Sequence, residues 1–147
     1  MFSYAGAFPP SGGKVIVNRK ISLIALVIIV LSVAGCTSKV TKSTEKGLFS
    51  VDMLYKGEIR NGRNVADLRI RDSEGKPLEG AEIEVTPWMP EMGHGVPYVP
   101  TVTEKGGGLY NVVFHFTMTG RWELKMAIRK GDVEDNVVFE FPDVKEK

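Results

Sequence analysis

Two stretches decide the fold: Tyr110-Asn111-Val112-Val113-Phe114-His115-Phe116 and, beyond a short turn, Trp122-Glu123-Leu124-Lys125-Met126-Ala127-Ile128. Large apolar residues recur at every second position in both, and successive side chains of an extended chain point to opposite faces. Each stretch is therefore a strand with one face for a core. The same period runs outward in both directions. Phe49, Val51, Met53 and Tyr55 alternate with other residues, as do Ala66, Leu68 and Ile70, then Ala81, Ile83 and Val85. Val137, Phe139 and Phe141 close the chain, and 97–103, interrupted by Pro100, reads as a weaker edge strand. Asp72-Ser73-Glu74-Gly75, Gly106-Gly107-Gly108 and Gly131-Asp132 supply turns.

About seven antiparallel strands at roughly ten-residue spacing, with no helical window in 48–147, predict an all-β domain, a β-sandwich of immunoglobulin-like architecture. The paired cysteines of true immunoglobulin domains are missing, so only the architecture is implied. An up-and-down barrel is the alternative. About a hundred residues suffice for a small core.

The remainder of the chain has a different character. Ile21 to Ala34 is an uncharged apolar run preceded by Arg19 and Lys20. As a helix it would span roughly 21 Å at 1.5 Å per residue, against a hydrocarbon core of ~30 Å. Basic residues, a short apolar run and then small residues describe a secretory signal peptide over 1–35, with an uncleaved N-terminal anchor and a buried core helix as the alternatives. Residues 1–16 exceed what a signal needs, and Val17 is read as an alternative start. Val33-Ala34-Gly35-Cys36 resembles the lipobox of bacterial lipoprotein signals. That resemblance implies a diacylglyceryl thioether on Cys36 as mature N-terminus. It places the protein outside the cytoplasm, on the outer face of the cytoplasmic membrane or on an outer membrane where one exists. Residues 36–47, rich in Lys, Thr and Ser, are expected to be a flexible tether of at most ~35–40 Å.

The full chain has 147 residues, 43% apolar and 25% charged, with a net charge of +1. Removing 1–35 takes away Lys14, Arg19 and Lys20 and no acid, so 19 basic residues become 16 against 18 acidic, and the charge becomes −2. That balance gives no reason to expect a nucleic-acid partner. One cysteine excludes an internal disulfide and a Cys-rich zinc or iron–sulfur site. No zincin, nucleophile-elbow or phosphate-loop motif is present, so the chain is not expected to be an enzyme. The acidic positions Asp72, Glu74, Glu79, Glu82 and Glu84 read as a solvated turn and strand face.

What chemistry remains lies with methionine and histidine. Trp88-Met89-Pro90-Glu91-Met92-Gly93-His94-Gly95 holds two Met and one His, and His115 and Met118 flank the end of a strand. Thioethers and imidazoles suit soft metals, Cu(I) above all, whereas Ca2+ and Mg2+ want several oxygens. Met89, Met92, His94, His115 and Met118 are therefore candidate ligands for copper. The alternatives are core packing by the methionines, as expected for Met53 and Met126, and an ordinary exposed turn at His94. A different use of the same loop is partner recognition without a metal, with Trp88 and Tyr98 as aromatic anchors.

Met89-Pro90-Glu91-Met92-Gly93-His94-Gly95, then Gly108-Leu109-Tyr110 and Met118-Thr119-Gly120-Arg121-Trp122-Glu123-Leu124, resemble the YtkA-like domain over about 48–141, and more distantly the periplasmic part of FixH-type proteins. The resemblance implies an immunoglobulin-like sandwich on the outer side of a membrane. Its FixH side implies a link to oxidase assembly and to copper supply; the expected partner is a membrane-protein complex, of oxidase assembly or of metal efflux. Where FixH-type proteins carry a transmembrane anchor, this chain carries the lipobox.

Overall fold

The computed structural model describes residues 36–147; the expected signal peptide (1–35), with the alternative start inside it, lies outside the described residues. Nine strands follow one another: β1 (Thr37–Ser43), β2 (Phe49–Lys56), β3 (Gly62–Asp72), β4 (Glu82–Met89), β5 (His94–Gly95), β6 (Thr101–Gly106), β7 (Leu109–Phe116), β8 (Gly120–Lys130) and β9 (Val133–Val144). They form two sheets, ordered β1-β2-β3-β7-β6 and β5-β4-β8-β9. Every pairing between strands is antiparallel. The expected seven are β2, β3, β4, β6, β7, β8 and β9. Their arrangement is the A-B-E-D over C-F-G order of an immunoglobulin sandwich, not a closed barrel.

Alternation does what the sequence demands of it. In β7 and β8 the inward residues Tyr110, Val112, Phe114, Phe116, Trp122, Leu124, Met126 and Ile128 are all buried. Met53 and Met126 fill core positions as expected. Among the described residues all buried apolar side chains lie between Phe49 and Val144, so 36–147 carries its own core and folds as a unit. The Tyr110 hydroxyl donates to the Leu78 carbonyl at 2.7 Å and accepts the Ala81 N–H at 3.1 Å, fastening the crossing from β3 to β4. Gly108 sits at φ +73°, and a Cβ there would lie 2.6 Å from the Ile70 carbonyl oxygen. Only glycine fits that turn.

The expected tether is corrected. Thr37–Ser43 pairs along its whole length with β2, from Thr37 opposite Lys56 to Ser43 opposite Ser50. Its polar composition hid it because it covers only the border of the core. Val40 packs against the core. Lys42 lays its stem toward the Phe139 ring, with Nζ 5.8 Å from the centroid, and donates to the Val138 carbonyl at 2.8 Å. On the opposite face Asp52 is fully buried. It accepts from Thr41 Oγ1 at 2.7 Å and Arg71 Nη2 at 2.8 Å, with Lys39 Nζ at 3.1 Å. Burial pushes this carboxyl up, but those three donors outweigh it and hold its pKa below the ordinary value.

A second buried carboxylate ties the two sheets. Asp135 of β9 accepts the Lys46 N–H on both oxygens at 3.0 Å, the Leu48 N–H at 3.2 Å and its neighbour's N–H from Asn136 at 2.8 Å. It thereby holds the β1–β2 turn of one sheet against the border strand of the other. Burial alone would raise its pKa. The Thr44 hydroxyl and the three backbone donors lower it from 3.8 to about 2.

Two outcomes follow from these carboxylates. A folded pKa below the unfolded one contributes stability that is complete above about pH 4 and is lost as the pH falls through about 2. For Asp135 this amounts to about 2 kcal/mol. Thermal melts of Asp135→Asn across this range are expected to be destabilised at neutral pH and less acid-sensitive than the parent, the residual sensitivity including that of Asp52. An unchanged acid slope would contradict the clamp. Asp52→Ala is expected to cost about 1–3 kcal/mol and to speed amide exchange in 37–43 more than in β8, as read by hydrogen–deuterium exchange. Equal effects in the two strands would show that Asp52 does not hold β1.

Candidate functional site

The registers place one end of the sandwich with precision. Thr37 lies opposite Lys56, Arg63 opposite His115, Thr101 opposite Val113, Trp88 opposite Glu123 and Gly120 opposite Val144. A bridge between Arg60 and Lys145 joins the two sheets there. Cys36, the β4–β5 hairpin and the β7–β8 turn (117–119) therefore share this end, called here the near end. The turns at 44–48, 106–108 and 131–132 lie at the far end.

Met89-Pro90-Glu91-Met92-Gly93-His94 is a tight hairpin. The Met89 carbonyl accepts both the Met92 N–H at 3.2 Å and the Gly93 N–H at 3.0 Å, and Gly93 at φ +67° reverses the chain. The segment expected to be loop thus ends in a two-residue strand, β5, because His94 and Gly95 pair back on Met89 and Trp88. Directly opposed residues of an antiparallel pair share a face. His94 therefore lies on the same face as Met89, at the sheet border, where it is exposed. Its Nδ1 lies 2.8 Å from the Gly95 carbonyl oxygen. A carbonyl only accepts, so Nδ1 is the donor here, and in the neutral ring the lone pair then lies on Nε2.

The methionines divide. Met89 is 6% exposed, and its Cε would lie 3.2 Å from a Cβ placed on Gly120, so it belongs to the rim of the core. Met92 (57% exposed) and Met118 (37%) stand at the surface. The Met118 backbone is held by the Trp122 Nε1–H, which donates to its carbonyl at 2.9 Å. Met89 reaches Gly120, two residues beyond Met118. Met89, Met92, His94 and Met118 are thus gathered at the near end. His115 is not in that group: flanked by buried Phe114 and Phe116, it faces outward from the β1-β2-β3-β7-β6 sheet. There it stacks on Tyr98, with ring centroids 4.8 Å apart.

The two aromatic anchors separate as well. Trp88 alternates with buried Pro87 and Met89 on β4, so it faces outward from the other sheet, beneath Lys125 Nζ at 4.7 Å. Trp88 and Tyr98 lie on opposite outer faces and do not make one patch. Among the described residues no three His, Cys, Asp or Glu side chains gather into a metal cage. The near-end hairpin carries two thioethers and one imidazole, which are soft or borderline donors, together with the Glu91 carboxylate. The sequence signal for this grouping was the Met and His spacing. The signal missed was Gly120, whose lack of a side chain lets Met89 reach the β7–β8 turn.

A search of curated proteins found no match. The family model described as YtkA-like matches residues 38–127, beginning at the second residue of β1 and ending within β8. That span takes in β1, the hairpin and the turn that carries Met118, and it exceeds half of the chain: the protein belongs to the YtkA-like family.

Proposed function

We propose that this YtkA-like protein is a lipid-anchored extracytoplasmic binding protein, not an enzyme, and that its near-end hairpin holds Cu(I). The observation that carries the metal reading is the His94 hydrogen bond, which makes Nδ1 the donor and leaves Nε2 of the neutral ring open, at the end of the sandwich that also carries Met89, Met92 and Met118. Nε2 of His94 and the sulfurs of Met92 and Met118 would hold the ion, with Met89 beneath them. Thioethers need no deprotonation and do not form disulfides, which suits a ligand set outside the cytoplasm. Bound there, Cu(I) would be cargo held for transfer. The lipobox ending at the exposed Cys36 supports the membrane anchor. The FixH resemblance supports a membrane-protein complex as recipient, in oxidase assembly or metal efflux.

Cu(I) competition against a chromophoric chelator tests the reading on residues 36–147 carrying Cys36→Ser, which removes the competing thiol. The parent is expected to take a single Cu(I). His94→Ala and Met92→Ala are expected to weaken it by at least about tenfold, the scale on which even outer-shell partners of a metal act. His115→Ala is expected to bind as the parent does. A parent that takes no copper, or hairpin variants that bind unchanged, would overturn the metal reading.

A further inference from the structure

We propose that the near end is a membrane-docking face, and that a groove beside Thr37 takes the headgroup of an anionic phospholipid. The groove has a volume of about 600 Å³ and runs along the start of β3 and the 57–61 connection. Thr37, adjacent to Cys36, stands in its wall. Its floor is apolar, with Leu54, Ile59 and Val65, the last 40% exposed although it sits on a strand. Its rim is basic: Lys56, Arg60, Arg63 and Lys147.

Charge is what chooses the occupant. The two carboxylates of the groove are engaged, Glu58 with Arg60 at 2.6 Å and Asp67 with Asn111 Nδ2 at 2.8 Å. Among the described residues, Lys56, Arg63 and Lys147 make no ion pair. Four cations against those two carboxylates leave a surplus of two positive charges around an apolar floor, on a mature chain whose net charge is −2. A phosphodiester above and a glycerol and acyl stub below match that pattern. The position of Cys36 supplies the second argument. The chain enters the fold one residue from the groove, so an acyl group there would bring the groove to the bilayer surface. An acylated cysteine alone is a point attachment about which a domain swivels. A second contact, a few ångströms from the first, fixes its tilt.

The docking has a consequence for the hairpin. His115 lies three strands from β1, or about 14 Å at ~4.8 Å per strand, at the level of Cys36. The β7–β8 turn, which Met89 of the hairpin approaches at Gly120, is then held toward the membrane.

Sedimentation with vesicles tests the proposal without any acyl group or metal, using residues 36–147 carrying Cys36→Ser, so its failure is separable from failure of the lipidation or copper readings. Partitioning onto phosphatidylcholine vesicles containing phosphatidylglycerol is expected to exceed that onto phosphatidylcholine alone and to fall with added salt. Each cation removed lowers it about fivefold, so Lys56→Gln with Arg63→Gln is expected to lower it about 25-fold. Lys105→Gln at the far end is expected to change it by less than about twofold. The salt arm needs only the parent, so the test stands whatever the variants' stability. Equal binding to both vesicles, or a double variant that partitions like the parent, overturns the proposal. So does displacement by inorganic phosphate at constant ionic strength, or dimerisation in solution lost on Arg63→Gln, which would put a free anion or a second copy in the groove.

Discussion

Phe116 and Trp122 stack across the sandwich with ring centroids 4.8 Å apart and planes at 20°, and the turn between β7 and β8 is anchored on that contact. One ring belongs to β7 and the other to β8, so the stack joins the two sheets. Phe114 and Phe141 meet Phe116 edge-on. Such pairs contribute about 0.5–1.5 kcal/mol beyond the area they bury. Position matters more here than the sum. Only residues 117–119 carry the chain between the stacked strands, and Trp122 holds the Met118 carbonyl while it is stacked. Gly120, at φ +116°, leaves the space that the Met89 methyl approaches. The turn that carries Met118 is thus tied to the aromatic stack.

Most of this architecture was legible because a two-sided strand writes its period into the sequence. β7 and β8 need no other signal; six of the sandwich strands are read from alternation, and the edge strand expected over 97–103 lies at Thr101–Gly106. β1 was not legible, for a physical reason. A border strand whose inner face meets only the margin of the core has little apolar area to bury, and Lys42 does with its methylene stem what a leucine would do elsewhere. Composition then reports a tether where hydrogen bonds make a strand. β5 escaped because two residues carry no period, and because its pairing follows from the Gly93 turn. The Met/His grouping was legible in part. Spacing brought Met89, Met92 and His94 together, whereas His115, three residues from Met118, is turned away by the alternation of β7. Trp88 and Tyr98 look like a pair in sequence and are parted by the thickness of the sandwich.

The two buried carboxylates show how a small sandwich tolerates ionised groups inside. Each has enough donors to offset its burial, and each is placed where otherwise weakly held chain meets the core. Asp52 serves the polar strand β1, and Asp135 serves the turn that follows it. No buried side-chain nitrogen or oxygen among the described residues lacks a partner. These contacts let a segment of poor intrinsic strand signal become a full-length border strand.

The order in β1 sets a limit on reach. A flexible leash would let a membrane-bound domain sample a hemisphere tens of ångströms high and meet partners whose receiving sites project far from the lipid. With strand pairing beginning at Thr37, an acylated Cys36 leaves no such leash. Acylated there, the domain would move as a low rider on the bilayer, searching in two dimensions at a nearly constant height. It would select recipients by altitude as well as by surface, favouring those whose docking site lies level with the headgroups.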